Sequence, residues 1–94
     1  MVQNQNPPAT RGLRSVIRVQ KEDSAFVYFV LEALEGVTSY RTLDQPPLAL
    51  YRDLELLTPP DFADDTIECL KDLSGKVLVL ESEIPTLTQS LLLA

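Results

Sequence analysis

Residues 23–36, DSAFVYFVLEALEG, constrain the fold most, because they read as a helix with almost no polar side to leave in water. Wound at about 100° per residue, the polar or small positions Ala25, Tyr28, Glu32 and Glu35 gather in one stripe. Phe26, Val27, Phe29, Val30, Leu31, Ala33 and Leu34 take the rest of the circumference. A helix resting on one sheet needs an apolar face of roughly 100°, and this one is wider. Phe26, Val30, Ala33 and Leu34 suffice for the sheet. Val27, Phe29 and Leu31 are then left on the flanks, as interface residues for a second helix, a tail or another subunit. Glu22, Asp23 and Ser24 mark the start, with Asp23 or Ser24 as cap and negative charge at the positive end of the dipole. Gly36 ends the helix, since positive φ is cheap only for glycine.

Three Pro-Pro pairs, at 7–8, 46–47 and 59–60, punctuate the chain. Consecutive prolines remove donors and disfavour helix before them, so each pair marks irregular backbone. Residues 1–11 read as a flexible arm. In LRSVIRVQ, residues 13–20, Leu13, Ser15, Ile17 and Val19 alternate with Arg14, Val16, Arg18 and Gln20, which predicts a strand with one buried face. After the helix, residues 37–43 are rich in β-branched and aromatic side chains and predict a second strand. LALYRDLELL, residues 48–57, predicts a third, with Leu48, Leu50, Leu54 and Leu56 on one side, interrupted by Arg52.

A second helix follows Pro60, with Asp61 as cap, Asp64 and Asp65 in the first turn, and a buried stripe of Ala63, Ile67, Leu70 and Leu73 beside Thr66. Gly75 stops it, residues 77–80 form a fourth strand, and residues 82–94 read as an irregular tail. The order βαββαβ contains two crossovers. If both are right-handed and share one sheet, the result is an α+β, ferredoxin-like two-layer sandwich. Its sheet is antiparallel, the first and third strands are central, and both helices lie on one face. The folded unit is expected over residues 12–81.

A packed part of about 70 residues makes a marginal core unless it is stapled or oligomeric. Cys69 is the only cysteine, so no internal disulfide is available, and the absence of histidine leaves no basis for a zinc site. Oligomerisation is the remaining remedy. The net charge of −6 is uneven: residues 1–47 carry five basic and five acidic side chains, residues 48–94 three and nine. Such a chain repels a phosphate backbone at long range. With neither an apolar leader in the first dozen residues nor any run near ~20 apolar residues, a soluble cytoplasmic protein is expected.

The segment 16–73 resembles small ferredoxin-like regulatory domains of the ACT type. The resemblance is carried by VIRVQKED, the helix FVYFVLEALEGV and the strand YRTLD. It is also similar to a short bacterial family of uncharacterised proteins with a core of Glu32, Glu35, Gly36 and Arg41 to Asp44. The resemblance implies a regulatory domain that senses a small ligand at a subunit interface. Where many ACT domains carry Pro-Gly or a lone Gly at the turn into the first helix, this chain has Ser24-Ala25, so no ligand residue is transferred.

From the residues themselves, Arg41, Thr42 and Asp44 form the most suggestive polar cluster. Arg41 could grip a carboxylate or phosphate, with Thr42 and Asp44 orienting it. The plainer alternative makes Arg41 and Asp44 strand-end charges that close a loop onto Arg52 or Asp53. Arg14, Arg18 and Arg52 could line an RNA-binding sheet face, yet stacking aromatics are missing from the first strand and only Tyr51 stands on the third. Solvated strand arginines, or cross-sheet partners for Asp53 and Glu55, are the better reading.

No histidine means no Ser-His-Asp triad. Cys69 lies between Asp65 and Asp72, which disfavour its thiolate. The acidic turn Gln20-Lys21-Glu22-Asp23 would repel the phosphate that acylphosphatases bind there. The expectation is a non-catalytic regulatory or interaction module without cofactor or metal, acting as a homodimer or docked on a larger protein. Nucleic-acid binding through the sheet face is the alternative.

Overall fold

The computed structural model describes residues 12–34, 36–85 and 87. Four antiparallel strands form one sheet, and the elements follow the order β1 (Leu13–Gln20), α1 (Ser24–Glu32), β2 (Ser39–Thr42), β3 (Tyr51–Thr58), α2 (Ala63–Asp72) and β4 (Val77–Ser82). The strand order across the sheet is β2-β3-β1-β4. The fold is the ferredoxin-like sandwich, with β1 and β3 central. The N-terminal arm, Glu35 and the Leu91-Leu92-Leu93 run lie outside the described residues.

The register follows the alternation of β1. Ser15, Ile17 and Val19 are buried beneath the helices, and Ile17 pairs with Leu54 on β3 and Val79 on β4. Val27 and Leu31 of α1, Ile67 and Leu70 of α2, and Leu73 just beyond it pack on Ile17, Val19, Leu54, Leu56 and Val77. The stripe expected on α2 is thus the one buried. β4 runs to Ser82, beyond its expected end, and Ile84 and Leu87 continue into the core at 2% and 4% exposure. At this end of the core, Thr38 and Thr58 share a hydrogen bond of 2.8 Å and Thr58 and Thr66 one of 3.2 Å, which keeps three buried hydroxyls paired.

α1 departs from expectation. Val27 and Leu31, expected on the flanks, are 0% and 1% exposed, whereas Phe26, expected on the sheet, is 50% exposed and Ala33 is exposed too. The helix is rolled by roughly a quarter turn at ~100° per residue. Its cause is the side read as solvent-facing. Tyr28 stacks on Tyr40 of β2 with centroids 5.6 Å apart and shares a 2.9 Å hydrogen bond with Thr42. The Tyr40 hydroxyl donates to Glu32 at 2.8 Å. Tyrosine is apolar in its body and polar only at its tip, so Tyr28 serves as an inward flank and brings Val27 and Leu31 over the sheet.

The helix starts differ as well. Ser24 Oγ donates to the Lys21 carbonyl at 2.8 Å, and neither Asp23 nor Asp61 makes a side-chain cap. Each helix is entered through a short 3-10 turn, Lys21–Asp23 or Pro60–Phe62. The helices stop short of the glycines expected to end them, at Glu32 and Asp72, and Gly36 at φ 91° and Gly75 at φ 93° lie in the turns that follow.

The third strand begins at Tyr51, so Leu48 and Leu50 are not on its buried side; they are 95% and 79% exposed. The prolines explain this. The Ala49 N–H donates to the Pro46 carbonyl at 3.1 Å, closing a turn with Pro47 at its second position and Leu48 at its third. Leu48 has φ 67°, a conformation that turns of this kind normally give to glycine or asparagine. The Leu50 carbonyl then accepts from Lys21 N–H at 2.9 Å, and pairing begins one residue later.

Candidate functional site

The open face of the sheet carries every second residue of the central strands. Arg41 on β2 donates to Glu55 Oε1 on β3 at 2.7 Å, while Arg14 on β1 donates to the other carboxylate oxygen, Oε2. Arg14 also lies 3.5 Å from Glu81 on β4. Charge therefore alternates plus, minus, plus, minus across all four strands. A second pair lies towards the other end, where Arg18 grips Asp53 through two hydrogen bonds of 2.7 and 3.0 Å and stacks 3.9 Å over the Tyr51 ring. The hydrogen bonds from Arg14 and Arg41 hold the Glu55 carboxyl below its usual range, against the opposing effect of burial.

This arrangement bears on the nucleic-acid reading. Arg14, Arg18 and Arg41 all spend their charge on carboxylates within the sheet, and Tyr51 is covered by Arg18. A phosphate chain would have to break these bonds, and a base would have to displace the guanidinium. Of the two arrangements expected from sequence, solvated arginines or cross-sheet pairing with Asp53 and Glu55, the pairing is the one present.

Arg41, Thr42 and Asp44 do not converge. Successive side chains on a strand point to opposite faces: Arg41 lies on the open face against Glu55, and Thr42 on the helix side against Tyr28. Asp44 is exposed beyond the end of β2. A cleft instead opens at the turn from β1 into α1. It encloses about 590 Å³ and is lined by Gln20, Lys21, Glu22, Leu50 and Tyr51. Sequence reading missed it because Leu50 was assigned to the buried side of a strand.

Cys69 is half-buried on α2, and burial followed by the Asp72 charge pushes its thiol up, away from the reactive thiolate. Among the described residues, no three or more His, Cys, Asp or Glu side chains gather to hold a metal ion. No helix among them is long and apolar enough to cross a membrane.

The outer side of α1 exposes two aromatic side chains. Phe29, one of the three residues expected at an interface, is 73% exposed, and Ala25 and Ala33 lie exposed one turn to either side of it. Phe26 flanks them, with the Lys76 ammonium 5.8 Å above its ring. Val27 and Leu31, the other two interface candidates, belong to the core of the single chain. The chain matches no family model, no curated protein and no solved structure.

Proposed function

We propose that this chain is a non-catalytic, ACT-like regulatory or protein-interaction module of the cytoplasm that works as a homodimer. The observation that carries this reading is the exposed Phe26 and Phe29 pair on a helix whose core-facing residues are already satisfied. The two phenyl rings, with Ala25 and Ala33 beside them, form one contiguous apolar patch rather than singly scattered apolar residues. The charged side chains on the open sheet face are paired with one another, and the one thiol is held protonated, which favours binding over catalysis. A small effector would lodge in the cleft at the β1–α1 turn, where Lys21 offers a charge and Leu50 an apolar wall.

Size-exclusion chromatography with light scattering at micromolar concentration tests the reading. The expected mass is twice the 10.5 kDa of the chain. A species that stays monomeric at a hundred micromolar would overturn it.

A further inference from the structure

Resting on that homodimer reading, we infer that two copies pair through the outer faces of their α1 helices. The helices run antiparallel about a two-fold axis at Phe29. The surface has the large-and-small alternation that a two-fold contact requires. Ala25, Phe29 and Ala33 recur every four residues along one line of the helix, and all three are exposed. A side chain on a helix leans towards the N-terminus and covers the turn before its own Cα. The Phe29 ring therefore overhangs the turn of Ala25.

When two such helices are antiparallel about Phe29, Ala25 of one copy stands opposite Ala33 of the other. Each ring then enters the shallow site over an alanine, and both copies make the same contact, as an isologous interface demands. Phe26 closes the edge.

Charge selects this direction. At the N-terminal end of the stripe the charges of Lys21 and Lys76 are offset by Glu22 and Asp23, leaving the positive end of the helix dipole, and the C-terminal end carries Glu32 and the dipole's negative end. Antiparallel pairing brings these unlike ends together. Parallel pairing would set Glu32 beside Glu32 and like ends of the two dipoles together. Helix α2, on the same side of the sheet, is unsuited to the contact, because its exposed residues include Asp64, Asp65, Glu68 and Asp72. The two rings contribute roughly 250 Å² of exposed area per copy, from about 200 Å² for each aromatic side chain. That is near a third of the ~800 Å² per partner of a standard interface, the share expected of its central anchors.

Cysteine cross-linking decides the geometry. In the full chain with Cys69→Ser, Ala25→Cys and Ala33→Cys are made separately and mixed under mild oxidation. About 12 Å separates like positions in the antiparallel pair, from eight residues at 1.5 Å rise, beyond the ~7 Å limit of a disulfide. Neither variant should cross-link alone, and the mixture should. Phe29→Glu should abolish the dimer seen by light scattering and leave the far-ultraviolet circular dichroism unchanged.

Cross-linking of each variant with itself would overturn the antiparallel arrangement. A dimer that survives Phe29→Glu and yields no cross-link in any sample would place the contact elsewhere, sinking this inference while sparing the proposed function. A monomeric parent chain would sink both.

Discussion

Helices α1 and α2 cover the same face of one sheet, yet only α2 divides cleanly between core and water. On α2, Thr66, Ile67 and Leu70 face inward, while Asp64, Asp65, Glu68, Lys71 and Asp72 are exposed. On α1, Val27 and Leu31 are fully buried, and the exposed positions include Ala25, Phe26, Phe29 and Ala33. The sheet asks the same of both helices, a stripe of apolar side chains on one side. α2 shows that this demand can be met with a charged exterior. The apolar exterior of α1 is therefore surplus to folding, and the surplus is what a second surface would use.

The inner faces should be equally sensitive. Leu31→Ala in α1 and Leu70→Ala in α2 each remove a fully buried side chain and should cost about 2–5 kcal/mol of stability by chemical denaturation. A much smaller loss for Leu31→Ala would show that α1 is not anchored as α2 is. The outer faces should then part company. Phe29→Ser should weaken self-association about 1,000-fold, since both copies lose an aromatic anchor worth some 2 kcal/mol. Glu68→Ser on α2 should leave it unchanged, and sedimentation equilibrium reads both.

Self-association should also respond to salt in a particular direction. Two copies of net charge −6 repel each other, so added salt should tighten the dimer modestly through screening, whereas binding to a phosphate backbone would weaken.

The sheet offers a control outside both helices. The Glu55 carboxyl is lowered in the folded state, so its contribution is present above the ordinary value of 4.5 and is lost as pH falls through the folded-state value. Glu55→Gln should flatten the acid limb of a stability–pH profile while leaving self-association at neutral pH intact. The smallest effect belongs to the turn before β3. Leu48→Gly relieves a positive φ worth about 1–2 kcal/mol and gives back up to about 1 kcal/mol in chain entropy, so a slight rise in melting temperature is expected.

How far the sequence could be read follows from these contrasts. β1 and α2 were legible because each has one period and a side with several charged or polar residues: Arg14, Arg18 and Gln20 in the strand, where Val16 is the apolar and buried exception, and acidic residues in the helix. The orientation of α1 was not, since apolar residues occupy nearly every direction and the tie-breaker was tertiary, the stacking of Tyr28 on Tyr40. Leu48 and Leu50 misled because their parity matches Leu54 and Leu56, while the Pro46–Pro47 turn that separates them breaks the strand without breaking the alternation. Alternation alone could gather Arg14 and Arg18 on one face of β1 and Asp53 and Glu55 on one face of β3, while their pairing needed the β1–β3 register. The bond from Arg41 to Glu55 needed the β2–β3 register, and the same register separates Arg41 from Thr42. The inward path of Ile84 and Leu87 left no periodic signal over so few residues.

The most direct measurement replaces the three phenylalanines with a fluorinated analogue and follows their fluorine resonances on dilution. Burial of Phe29 against a second copy predicts that its resonance moves between low and high micromolar concentration while that of Phe62, outside the contact, stays fixed. A Phe29 resonance that keeps its solvent-exposed position throughout that range would contradict the account.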